Sequence, residues 1–104
     1  MAQTLAEVAD RVVAVSEIYA TRNNVRRDDD WYALKIAEEA GELVAEYLRR
    51  SGRGRTHEEA PVRALGDEAA DLIAQVLLFC RHNEIDVEAA LERKWFRYLR
   101  TDNP

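Results

Sequence analysis

The chain has 104 residues, 47% hydrophobic and 34% charged, with a net charge of −5 and a pI near 5.0. These values describe one small globular domain, exclude a disordered chain, and argue against non-specific binding to nucleic-acid polymers. Only two prolines and four glycines interrupt it, a scarcity of breakers that favours long helices over a many-turned β-fold.

Leu5, Val8, Val12, Val15 and Tyr19 recur at spacings of three and four. The pattern predicts an amphipathic helix over about residues 4 to 22, with this stripe facing the core. "TRNNVRRDDD" follows as a polar loop, and its last aspartates suit the N-cap of the next helix. A second helix is expected over about residues 30 to 50. Its apolar members are Leu34, Ala37, Gly41, Val44 and Leu48, widened by Ala33, Ile36, Ala40 and Tyr47. Gly41 in mid-helix costs about 1 kcal/mol relative to alanine, which points to close helix approach, in the core or across a dimer.

"SGRGRTHEEA" reads as a surface loop whose arginines (Arg53 and Arg55, after Arg49 and Arg50) are ordinary solvated charge. Pro61 suits the first turn of a third helix over about residues 61 to 83. Leu65, Ala69, Leu72, Ile73, Val76, Phe79 and Cys80 form its expected core stripe, and Leu77 and Leu78 lie outside it. A middle that is apolar nearly all round marks this helix as the most buried element. Asp86 is the expected N-cap of a fourth helix over about residues 87 to 100. Four helices joined by short loops predict an all-α bundle, one domain over residues 1–104. Two of them carry more apolar surface than a lone bundle covers, so a homo-oligomer is expected, most simply a dimer.

The lone Cys80 excludes an internal disulfide and sits in an apolar run without an evident base, which suits packing in a reduced, cytoplasmic compartment. "MAQTLAEVAD" carries no secretory signal, and the longest apolar run, "LIAQVLLFC", is far short of the roughly 20 residues that span a membrane. His57 and His82 have no partner spacing that suggests zinc.

The acids are unusual in their grouping. Glu38, Glu39, Glu42 and Glu46 crowd "KIAEEAGELVAEYL". Glu39 and Glu42 are helix neighbours, as are Glu38 and Glu42. On the third helix, Glu68 and Asp71 are three apart, on the shoulder of the apolar stripe. Two antiparallel helices would bring the pairs together. Carboxylates sharing one site raise one another's pKa, and a divalent cation relieves the repulsion. With only oxygen donors the cation is magnesium or manganese, with calcium also admitted, and not zinc or copper. The ordinary reading of a single acidic i, i+3 pair is a solvated face. On the second helix Glu39, Glu42 and Glu46 lie opposite the apolar arc, where periodicity alone places solvent. Two pairs on adjacent helices leave the solvated face and the metal site evenly matched.

"EEAGE" (Glu38 to Glu42) and "EAAD" (Glu68 to Asp71) resemble the EExxE and ExxD motifs of the MazG family, all-α nucleoside triphosphate pyrophosphohydrolases. The resemblance extends over about residues 31 to 98, through "LKIAEEAGELVAEYL" and "DEAADLIAQVLLFCRHNEIDVEAALERKW". It implies magnesium-dependent hydrolysis of a nucleoside triphosphate between the α and β phosphates, to a nucleoside monophosphate and pyrophosphate, in a dimer or tetramer. Carried over, the metal ligands are Glu39, Glu42, Glu68 and Asp71. Glu38 and Glu39 are the catalytic candidates, Glu38 as a further ligand or as the base that activates water. Lys94 and Arg97 match the family's basic residues, with Tyr98 beside them, and Lys35, one turn before Glu39, is a further phosphate contact. The family often has an asparagine after this lysine, where this chain reads Lys94-Trp95-Phe96-Arg97. Trp31 and Tyr32 open the second helix as a hydrophobic plug or as a stacking surface for a base. Phosphoribosyl-ATP pyrophosphohydrolases share these acids, but have a histidine where this chain has Gln75. Outside the enzymes, the alternative is a helical dimerisation module without catalysis.

Overall fold

The computed structural model describes residues 2–53 and 62–99, and these are all-helical, without strands. Helix α1 spans Leu5–Asn23, α2 Asp29–Arg50, α3 Val62–His82 and α4 Val87–Lys94, followed by a 3₁₀ turn, Phe96–Leu99. The expected fourth helix is therefore shorter than its pattern. Trp95 caps the helix with a stretched φ of −119° while its amide still donates to the Leu91 carbonyl, and the chain tightens into the 3₁₀ turn. Pro61, Arg55 and His57 lie outside the described residues, as does most of the loop around them.

Side chains explain where the helices start. Thr4 accepts from the Glu7 amide while the Glu7 carboxylate accepts from the Thr4 amide, a capping box that fixes the start of α1. Asp28 caps α2 by accepting from the Trp31 amide at 2.8 Å, and Asp86 caps α4 through the Ala89 amide at 3.1 Å. Glu88 of α4 reaches α1 and accepts from the Ala6 amide, closing another open donor of that first turn. Asn24 ends α1 in the left-handed region (φ 52°), where asparagine is tolerated.

Helices α2 and α3 form the most extensive pairing, and α1 packs on α3. The α2–α3 pair is antiparallel: His82 at the end of α3 hydrogen-bonds Asp29 at the start of α2 (2.8 Å) and stacks on Tyr32. Arg81 ties α3 to α1 through Asp10 at 2.8 Å.

The core is thin. Among the described residues the buried apolar side chains are Ala9, Ala20, Leu77 and Leu78. Leu77 and Leu78 are the two that the heptad-like stripe of α3 left out, whereas Ile73 and Val76, expected inside, are exposed. On α2 the expected orientation is likewise reversed. Leu34 and Val44 are 67% and 56% exposed, while Glu46 is buried at 8%. The physical reason is pairing. The helix turns Glu39 and Glu46 inward while Glu38 and Glu42 stay exposed, and Glu46 is satisfied by a two-point ion pair with Arg49 of the same helix. A β-carbon on Gly41 would meet nothing within 4 Å, so close packing inside this chain is not the reason for that glycine.

Candidate metal centre and adjoining cavity

Antiparallel packing of α2 on α3 places Glu39 opposite the Glu68/Asp71 pair. One carboxylate oxygen from each of the three lies within 4.8 Å of the others. Glu39 and Glu68 are half-buried and Asp71 is exposed. Their spacing follows from the helix repeat: Glu68 and Asp71 are one turn apart on α3, and α2 supplies the third acid from across the interface. Sequence reasoning predicted this convergence, and the structure produces it for three of the four expected ligands.

Glu42 is not in the trio. It is exposed on α2, although its charge raises the pKa of both Glu39 and Glu68. Partial burial is the larger cause for both groups. It raises the Glu39 carboxyl, with Asp71 adding to the rise and Lys35 opposing it. Glu68 is raised by desolvation first and then by Asp71, Glu42 and Glu39. Both groups are thus held towards their protonated forms by burial first and by neighbours of like charge second, the state a bound cation would reverse. The donor set is all carboxylate oxygen, which fits magnesium or manganese.

Lys35 bridges to Glu38 at 3.1 Å and lies 3.9 Å from Glu39. Glu38 itself faces solvent beside the trio's edge. The Lys35 ammonium also sits over the Trp31 ring, 5.9 Å from its centre.

Beside the acids, α1, α2 and α3 enclose an open cavity of about 630 Å³. Glu39, Asp71, Lys35 and Trp31 line it, so four of the residues singled out in the sequence share one space. The opposite wall is α1: Val8, Val12, Val15 and Tyr19 face the cavity. This corrects the expectation that these residues are core. Val15 and Tyr19 are 66% and 57% exposed, because α2 packs on α3 and leaves their side of α1 uncovered.

Among the lining residues that the sequence did not assign to the site are Arg11 and Gln75. Arg11 lies three after Val8 and four before Val15, a cation inside an apolar stripe, and that position was the available signal. Gln75 lies one turn after Asp71, and its Oε1 is buried without a hydrogen-bond partner. A buried acceptor left unsatisfied costs free energy until a donor reaches it.

The structure does not bring Lys94, Arg97 and Tyr98 to this cavity. Lys94 ends α4, and Arg97 lies over the Tyr98 ring and donates to its hydroxyl at 2.8 Å. All three are exposed. Cys80 is half-buried and lines a second cavity with residues of α1 and α4, and desolvation raises its pKa, which suits a packing thiol. Compared with known proteins, the chain matches no family model, no curated protein and no solved structure.

Proposed function

We propose that the chain is a MazG-like pyrophosphohydrolase that cleaves a nucleoside triphosphate between its α and β phosphates, clearing modified or surplus nucleotides. The observation that carries this reading is the meeting of Glu39, Glu68 and Asp71 from two helices at the wall of a cavity that Lys35 and Trp31 also line. The resemblance of "EEAGE" and "EAAD" to the family's motifs supports it independently.

Glu39, Glu68 and Asp71 would hold magnesium, with Glu42 close enough to add its charge. When bound, the ion supplies neutralisation of the phosphate oxygens and a lowered pKa for water. The chain's own residues do the rest. Lys35 offers a positive charge one turn from Glu39 and offsets the anionic substrate. Trp31 gives a flat apolar surface for a base, in a cavity that Val8, Val12, Val15 and Leu78 also line. Glu38 is exposed one residue before Glu39, and in this reading it would accept a proton from water. Phosphoryl transfer needs positioning and charge compensation more than covalent chemistry, and a helical frame with fixed acids supplies both.

The functional unit in this reading is a homo-oligomer. A compact monomer of 11.9 kDa exposes about 6,000 Å², and this chain exposes 8402 Å². The excess includes Leu34, Val44 and Tyr47 on α2 and Ile73 and Val76 on α3. A second copy covering these faces would bury them and give Gly41 the close neighbour it lacks here.

The test is pyrophosphate release in magnesium over canonical-base and modified ribo- and deoxyribonucleoside triphosphates and phosphoribosyl-ATP, with Glu39→Gln alongside. Turnover lost in the variant supports the proposal. Turnover of phosphoribosyl-ATP alone would move the chain to histidine biosynthesis. Absence of turnover throughout would leave a non-catalytic helical dimerisation module.

A further inference from the structure

Charge balance in the cavity calls for a cation that the family resemblance did not point to. A triphosphate chain is polyanionic, and it would lie against a wall carrying Glu39 and Asp71. One divalent ion offsets only part of that repulsion, and Lys35 is already engaged with Glu38 and Glu39. We propose that Arg11 is a substrate-binding residue of this site, contacting the phosphate chain from the α1 wall. The inference rests on the pyrophosphohydrolase reading of the acidic trio.

Three observations carry it. First, α1 presents Val8, Arg11, Val12, Val15, Ser16 and Tyr19 to the cavity at helical spacing, and Arg11 is the guanidinium among the cavity-lining residues. Second, its hydrogen bond goes to a neutral, exposed amide, Gln3 Oε1, at 3.2 Å. By contrast, Arg27, Arg49 and Arg81 pair with the carboxylates of Glu17, Glu46 and Asp10. Giving up the Gln3 amide for a phosphate exchanges a single bond to a neutral acceptor for an ion pair with an anion, and the planar guanidinium matches phosphate in two-point geometry. Third, the unsatisfied Gln75 Oε1 belongs to the same cavity lining. The oxygen is buried where it lies, so a turn of the Gln75 side chain towards the cavity would let a hydroxyl or N–H of a nucleotide's sugar or base satisfy it while the phosphates engage Arg11.

The experiment is calorimetric titration of α,β-methylene nucleoside triphosphates into the protein in magnesium, for wild type, Arg11→Ala, Arg11→Gln, Arg11→Lys and Arg22→Ala. Arg22 is on the same helix in its last turn, outside the cavity. Arg11→Ala and Arg11→Gln are expected to weaken binding about ten- to hundredfold, the range of charge-assisted hydrogen bonds. Arg11→Lys retains part of the affinity, and Arg22→Ala binds like wild type. The magnesium-induced rise in melting temperature is unchanged in all four variants, because Arg11 is not a metal ligand. Binding by Arg11→Ala and Arg11→Gln within twofold of wild type overturns the role of Arg11 and leaves the pyrophosphohydrolase reading standing. Wild-type protein that binds no triphosphate overturns both.

Discussion

Glu39→Gln tests the acidic trio most directly, because it removes one charge and keeps the side chain's shape. In the metal-free protein an oxygen of Glu39 lies within 4.8 Å of one on Asp71. Two unit charges at that distance repel by about 0.9 kcal/mol in water and about 3.5 kcal/mol at an effective dielectric of 20. Asp71 is exposed and Glu39 half-buried, so the aqueous end governs; the lost attraction to Lys35 at 3.9 Å is offset by the relieved burial of the charge and the repulsion from Glu38 and Glu42, and relief of about 1 kcal/mol is expected. For a domain of this size that corresponds to a rise of about 4–8 °C in melting temperature. The variant should therefore melt above wild type in EDTA at pH 7. Magnesium reverses the order. At a concentration ten times its Kd it stabilises the wild type by about 1.4 kcal/mol, or about 6–11 °C, and the neutral amide forfeits most of that gain. Differential scanning calorimetry with EDTA and then with increasing magnesium measures both effects. A wild type indifferent to magnesium, with a variant no more stable in EDTA, would refute the reasoning and leave the three acids as a wet helix face.

Three further outcomes follow from the same geometry. Glu39 and Glu68 have folded-state pKa values raised above their unfolded ones, so their contribution is fully present below the unfolded carboxylate pKa and is lost as pH rises through the folded one. The melting-temperature difference between metal-free wild type and Glu39→Gln should shrink as pH falls from 7 towards 4, and a difference independent of pH would contradict the cited cause. Arg49→Ala leaves the buried Glu46 carboxylate without its two-point partner and should lower the melting temperature more than Arg50→Ala does; equal losses would show that the pair contributes little. Val44→Asp adds a charge to an exposed apolar position. If this face forms the proposed homo-oligomer, the variant should drive sedimentation towards the monomer, whereas an unchanged species would refute a contact through this face.

Much of the fold is local and therefore legible along the chain. Asp28 and Asp86 cap the helices they precede because the capping bond spans three residues, and the helix starts at Asp29 and Val87 fall within one residue of expectation. The acidic pairing was also legible, because Glu68 and Asp71 share a face by the helix repeat and antiparallel pairing with α2 supplies the third acid. The α2 face was misread. Periodicity identifies an apolar arc but not its partner, and here Leu34 and Val44 are exposed while Glu46 is buried. The α1 stripe failed for the same reason: Val15 and Tyr19 line an open cavity instead of a core.

The sequence by itself determined the helices, their caps and the spacing of the acids, since each depends on residues within about one turn of one another. Tertiary structure alone decided that Glu39, Glu68 and Asp71 form the trio while Glu42 remains outside it. It also placed Arg11 and Gln75 on the same cavity, and it left apolar faces of α2 and α3 uncovered. These outcomes depend on how one helix is rotated against another, and that rotation is set by the summed packing of both surfaces, which no single helix's periodicity contains.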